Sequence, residues 1–262
     1  AVISSCGPFW THRAASFIKK EKHEIIWIAD FRDSYASDLV DTRYFYRRHI
    51  RQIKRYCANA DMVLRVNDTM RTDTPVNIPV ETVTNGFDPE EKVIPQKPEK
   101  FNIIYTGTMY HFDNIGIVCR AVKELVQEEK IEDSVQVEFY GSGGEYAQKQ
   151  ANKENASKYF VNHGMVPRHE VIRERQNAAV LLQMSHNTKL FRCEWTGKMY
   201  EYMMSEKPII YTVSGSIPNS MPSRNMKLLG GCCYETCRHK ETYPILKQFI
   251  YEKYREWKES GE

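Results

Sequence analysis

The chain has 262 residues, a length that suits about two domains of ~130 residues each and leaves ample material for a buried core. Apolar residues make up 41%, charged residues 27% and aromatics 12%, which excludes a disordered or fibrous chain. A formal net charge of +3 argues against a dedicated duplex-binding protein and directs attention to local basic patches.

Seven cysteines (6, 57, 119, 193, 232, 233 and 237) form no CxxC pair, and a core of this size needs no staples, so a reducing cytoplasm is the simplest setting. Cys232, Cys233, Cys237 and His239 make a poor zinc set: adjacent cysteines do not readily face one tetrahedral ion, and a second pair is missing. No apolar run reaches the ~18 residues of a membrane span, and no signal peptide precedes the first strand. The expectation is a cytoplasmic chain, or one lying peripherally on the inner face of the cell membrane.

In chain order, AVISSCGPF reads as a short strand stopped by Gly7 and Pro8. THRAASFIKKEKH has apolar residues at helical spacing (Ala14, Phe17, Ile18), and EIIWIADFRD is a buried strand ending in Asp30, Arg32 and Asp33. A basic helix follows, then ADMVLRVND and VETVTNGFD as strands. The alternation predicts a parallel sheet with helices on both faces. Proline and charge then concentrate without periodicity, so a first domain is expected over 1–92, a linker over 93–100 and a second domain over 101–262.

The second half alternates more clearly. FNIIYTGTM, VQVEFYGSGG, YFVNHGMV, AAVLLQMS and KPIIYTV read as strands; NIGIVCRAVKELVQEE, EYAQKQANKEN, HEVIRERQN and TGKMYEYMM read as helices. The loops leaving the strands carry glycine and small hydroxyl residues, at the edge where an open parallel sheet forms its crevice. Glycine admits a phosphate close to the backbone, and helix N-termini offer unpaired N–H groups, so an anionic ligand such as a nucleotide is expected.

Glu201 lies in the last of these helices, where Met199, Tyr202 and Met203 form the buried stripe. Lys198 and Glu201 are three apart, which fits a surface ion pair. Position argues for more: the first turn of that helix belongs at the carboxyl edge of the sheet, where a carboxylate accepts ribose hydroxyls and an ammonium beside free N–H groups holds a diphosphate.

The tract EWTGKMYEYMMSEKPIIY, with VTNGFDPEE, FNIIYTGTMY, VEFYGSG, VNHGMVPRHEVIRERQNAAVLL and WIADFRD, resembles the bacterial glycosyltransferases of the GT-B class in the large retaining family four, over nearly the whole chain. The resemblance implies two Rossmann-like doubly wound domains, the N-terminal one incomplete here, since fewer than one hundred residues precede the linker where such a domain takes ~150. A fragment of a longer enzyme is therefore expected. It implies transfer of a sugar from a nucleotide-diphospho-sugar to a saccharide or lipid-linked acceptor hydroxyl, with retention and without a metal or other cofactor, in cell-surface polysaccharide or glycolipid synthesis.

Residue by residue, the resemblance puts Glu201 on the donor ribose, Gly107 and Thr108 at the diphosphate loop, Gly141 at the next glycine loop, Met165 and Val166 at the base, and Thr196, Gly197 and Lys198 beside phosphates and sugar. It brings His12 near the reacting groups. For Asp33 and Arg32, at the end of their strand, the functional reading is orientation of the acceptor hydroxyl, against an internal salt bridge that orders the loop. Two departures stand out. The first of the family's paired glutamates falls on Cys193, with Glu194 one residue off register, and the cations that follow the first strand of the second domain are replaced by TMYHFDN, so charge compensation is expected from Lys198, Lys189 or Arg192.

RYFYRRHIRQIKRY holds six Arg or Lys, including Arg47, Arg48 and Arg51, with no acid. A solvated helix face is the commonest reason for such a run. Given the resemblance, contact with an anionic membrane surface is preferred to nucleic acid. GSGGEY lacks the GxGxxG spacing and a suitable acid, which excludes a dehydrogenase. Two readings stay open beside the transferase: a non-catalytic nucleotide-sugar-binding protein and a nucleotide-sugar epimerase of the same architecture.

Overall fold

The computed structural model of the chain describes residues 1–6, 9–33, 43–68, 70, 72–91, 97–188 and 195–260. Backbone packing separates a unit over Ala1–Asn85 from a second that starts at Gly86. That division falls ahead of the expected 93–100 linker; residues 92–96 lie outside the described residues. The described end of the linker is anchored rather than free. Pro98 accepts a hydrogen bond from Trp257 Nε1 at 2.9 Å, and the Lys97 ammonium lies 5.9 Å from that indole's centroid.

The first unit contains β1 (Val2–Ser5), α1 (Trp10–Glu21), β2 (Trp27–Phe31), α2 (Arg43–Tyr56), β3 (Met62–Arg65) and β4 (Val80–Thr82). Its strands form one parallel sheet in the order β1-β2-β3-β4, with Ser4 opposite Ala29 and Ala29 opposite Val63. The two-residue period of a strand sends Trp27, Ala29 and Phe31 into a core shared with Ile53 and Cys57. Ile3 and Ile26 stay exposed. Helices on both faces were expected; among the described residues the first sheet is covered on the Trp27–Ala29–Phe31 face.

The second unit holds β5 (Asn102–Thr106), α3 (Gly116–Gln127), β6 (Gln136–Tyr140), α4 (Gly144–Lys153), β7 (Phe160–Gly164), α5 (Arg168–Gln176), β8 (Val180–His186), α6 (Gly197–Met204), β9 (Ile209–Ser214), α7 (Met221–Asn225), β10 (Cys232–Glu235) and α8 (His239–Glu259). The six strands are parallel, in the order β10-β9-β8-β5-β6-β7. Every residue of β8 is buried, as a central strand covered on both faces requires. Alternate side chains divide between two cores. Ile103, Tyr105, Val137, Phe139 and Leu182 meet α3, α4 and α8, whereas Ile104, Tyr140 and Leu181 meet Met199 and Tyr202 of α6.

Candidate functional site

The strand order makes the site. From β5 the chain winds outward through β6 and β7, then returns to place β8 on the other side of β5. The carboxyl ends of β5 and β8 therefore flank a topological switch point, the place where an open parallel sheet splits its loops and leaves a crevice. The segment after β8 leads into α6, so the first turn of α6 is delivered to that place.

Two glycines bring the loops after β5 and β6 into backbone contact. Gly107 N–H donates to Tyr140 O and Gly141 N–H to Gly164 O, both at 2.7 Å, and Met109 N–H donates to Ser142 O at 2.9 Å. Ser142 Oγ donates to Thr108 Oγ1 at 3.0 Å. Gly107 and Gly141 have φ of +135° and +144°, a region L side chains rarely adopt. A Cβ on Gly141 would lie 1.8 Å from the Gly107 carbonyl oxygen, and one on Gly107 would lie 1.9 Å from Lys198 Nζ.

Helix α6 is pinned by its buried face. The Tyr202 hydroxyl accepts from Thr106 N–H at 3.1 Å, at the end of β5. Thr196, the N-cap, makes no side-chain cap, and its buried Oγ1 has no partner. Met199 N–H donates to Thr196 O at 3.0 Å, which leaves the Gly197 and Lys198 amides for a ligand or water.

Lys198 reaches back from this turn over the Tyr105 ring, 4.4 Å from its centroid and 3.4 Å from its hydroxyl. Among the described residues no carboxylate lies within ion-pair distance of its ammonium, and burial lowers its pKa from 10.5 to about 8, against the pull of Asp113 and Glu201. Asp113 is buried, with Oδ2 accepting Tyr110 N–H at 2.8 Å and Oδ1 without a partner. Burial raises its pKa to about 6. Among the described residues the ammonium has no ion-paired carboxylate, and it lies at a helix start without a side-chain cap, an arrangement suited to a phosphate-bearing ligand.

Glu201 does not pair with Lys198, contrary to the simpler expectation for residues three apart. Arg175 Nη1, from α5, bonds Glu201 Oε2, and Arg168 Nη2 lies 3.6 Å from Oε1. Arg175 is 2% exposed and Glu201 27%. The carboxylate is thus partly buried, with one oxygen bonded by Arg175 and the other near Arg168.

Gly107, Thr108, Gly141, Thr196, Gly197 and Lys198 are thus brought together, with Glu201 one turn further along. Val166 packs beside the α6 core, whereas Met165 is 79% exposed. The remaining expected residues belong to the first unit. His12 is fully buried: its Nδ1 shares a 2.7 Å bond with Ser4 Oγ, which also accepts from Trp27 Nε1 at 2.9 Å. Burial lowers its pKa to about 4, so the ring is neutral at pH 7, and Nε2 has no partner. Arg32 makes the internal salt bridge, 2.9 Å to Asp30, and also bonds Asn85; Asp33 is exposed. Arg47, Arg48 and Arg51 project from the exposed face of α2. Lys189, Arg192, Cys193 and Glu194 lie outside the described residues.

Sequence reasoning missed Arg175, Tyr105 and Asp113. The signal for Arg175 was a charge three residues before the buried run AAVLL, a position that is covered when the strand is central. Asp113 was read only as the absence of a cation.

Residues 100–229 match the family described as Glycosyl transferases group 1. No curated protein matches the chain. Among solved structures, TarM has a TM-score of 0.60 at 15% identity over 98% of this chain and 50% of its own. WaaG, a glycosyltransferase involved in lipopolysaccharide biosynthesis, has a TM-score of 0.61 at 12% identity over 95% and 75%. The pneumococcal O-GlcNAc transferase GtfA, solved in complex with UDP and GlcNAc, has a TM-score of 0.52 at 14% identity over 99% and 56%. The chain thus spans half the length of TarM. Its fold is the α/β arrangement of two Rossmann-like parallel-sheet parts found in GT-B glycosyltransferases, and residues 100–229 carry the match to glycosyl transferases group 1.

Proposed function

We propose that the chain is part of a glycosyltransferase that moves a sugar from a nucleotide-diphospho-sugar to an acceptor hydroxyl with retention, on a cytoplasmic route to surface polysaccharide or glycolipid. The observation that carries this reading is the Lys198 ammonium, without an ion-paired carboxylate among the described residues, at the start of α6 against Gly107. As the glycosidic bond to the diphosphate breaks, negative charge grows on the leaving oxygen. Lys198 and the first amides of α6 lie where they stabilise it without a metal. Glu201 takes the pentose hydroxyls. The UDP in the GtfA structure supports a uridine donor. Asp33, exposed after β2, is proposed for the acceptor side, whereas His12 is enclosed in its own core and Arg32 is held by Asp30.

The test is a thermal-shift screen with UDP-, GDP- and ADP-sugars on the wild type and Glu201→Ala. One donor should raise the wild-type Tm by several degrees, and Glu201→Ala should lose at least half of that rise. Equal stabilisation of both proteins removes Glu201 from the ribose. In a longer chain, release of free nucleoside diphosphate only when acceptor is supplied separates transfer from a binding protein or an epimerase.

The first unit's basic surface is proposed to rest on an anionic bilayer. Arg47, Arg48 and Arg51 lie on α2 beside exposed Phe45, and Trp10 and Phe17 are exposed on α1, whose Arg13 lies 5.6 Å from the Tyr56 ring centroid of α2. Cations flanked by apolar side chains suit a headgroup boundary. Co-sedimentation with phosphatidylglycerol vesicles, absent with phosphatidylcholine, should fall at least tenfold on changing the three arginines to glutamate, since each contributes about 1 kcal/mol at such a surface. Unchanged binding would exclude this face.

A further inference from the structure

The carboxylate assigned to the pentose is held by a group of another helix. Arg175, in the last turn of α5, is almost wholly buried and bonds Glu201 Oε2, while its Nε has no partner. Arg168, in the first turn of the same helix, is 62% exposed and sits 3.6 Å from the other oxygen. Glu201 is therefore gripped unequally. The buried guanidinium cannot leave without breaking its charge pair and stranding the carboxylate.

We infer that Arg175 is the positioning residue for Glu201: it fixes Oε2 and the carboxylate plane, so that Oε1 accepts the vicinal hydroxyls of a nucleotide's pentose. The inference rests on the nucleotide-sugar reading above and deepens it. A carboxylate on a flexible Glu side chain is spread over several rotamers, and holding one of them removes that cost from ligand binding. Arg175 touches no ligand itself. Its effect appears only in how well the site distinguishes a pentose with hydroxyls from one without.

The experiment compares UDP with 2′,3′-dideoxy-UDP by isothermal titration, and GDP and ADP with their dideoxy analogues, on the wild type, Arg175→Met, Arg175→Gln, Glu201→Gln and the double variant Arg175→Met/Glu201→Gln. The wild type should prefer one ribonucleotide by about tenfold or more, the value of one well-placed charged hydrogen bond. Arg175→Met should reduce that preference below about threefold while leaving the dideoxy affinity unchanged, and Arg175→Gln, which keeps a donor, should fall between. On the Glu201→Gln background the arginine change should have no further effect on the preference. A preference that survives in Arg175→Met and Arg175→Gln overturns the positioning role. So does an equal loss for both nucleotides, which is the mark of a merely structural arginine. Absence of binding by every wild-type nucleotide pair overturns the nucleotide reading itself, a result separable from the first because it needs no variant.

Discussion

Gly141→Val should lower the stability of the second unit by more than about 4 kcal/mol, seen as a fall in Tm of at least ~8 °C or as loss of soluble protein. Two effects add. The residue sits at φ +144°, where a β-branched side chain is strained, and its Cβ would lie 1.8 Å from the carbonyl oxygen of Gly107 and 2.6 Å from that carbonyl carbon. Neither obstacle is a flexible side-chain tip. Gly107 is tied by its N–H to Tyr140 O and Gly141 by its own to Gly164 O, so relief of the clash must separate the ends of β5, β6 and β7. Gly164→Ala supplies the control: its φ is +68°, yet nothing lies within 4 Å of an added Cβ, so it should cost only about 1 kcal/mol. A Gly141→Val chain that melts within 2 °C of the wild type would show that the two loops part easily and do not form a rigid cradle.

The parts of this architecture that repeat every two or every 3.6 residues were legible before any coordinates. Ile103, Ile104, Leu181 and Leu182 read as strands because both faces are covered, and Met199 and Tyr202 read as the buried stripe of a helix; both assignments stand. The glycines of TGTM and GSGG were legible as loops leaving the strands, and the structure brings those two loops into backbone contact. Past Val213 the pattern fails. Pro222 and Pro244 interrupt helical spacing, although Pro244 lies early in α8, where the loss of one N–H to Lys240 O is tolerated by a helix packed through Leu246, Phe249 and Ile250. β10, α7 and α8 were therefore not foreseen. The pairing of Glu201 was hidden for a different reason. Spacing along one helix names Lys198 as its neighbour, whereas Arg175 arrives from 26 residues upstream, through the packing of α5 against the same sheet. Long-range partners of charged groups follow from topology, and no local period encodes them.

Lys198→Met should raise the Tm of the chain at pH 7 and at the same time abolish any nucleotide-induced shift. The ammonium lies over Tyr105 with no ion-paired carboxylate among the described residues, and its pKa falls from 10.5 to about 8 because burial disfavours the charged form. For a base whose folded pKa is depressed, the unfolded chain binds more protons between the two values, so stability is reduced by the full amount below pH 8 and recovers as pH rises toward 10.5. Removing the charge therefore stabilises the fold by about 2 kcal/mol at pH 7, after allowance for partial exposure, and by almost nothing at pH 10.5. The thioether also fits against the Tyr105 ring. On the proposed function a diphosphate would add counter-charge to that of Asp113 and Glu201, and in the wild type its binding should draw the Lys198 pKa back up. Wild-type affinity for UDP should accordingly fall between pH 7 and 9, about tenfold per unit once the ammonium is lost, and the pH dependence should vanish in Lys198→Met along with most of the affinity. A variant that is no more stable at pH 7, or one that still binds UDP with wild-type affinity, would show that the ammonium is already satisfied by Tyr105 and is not reserved for an anion.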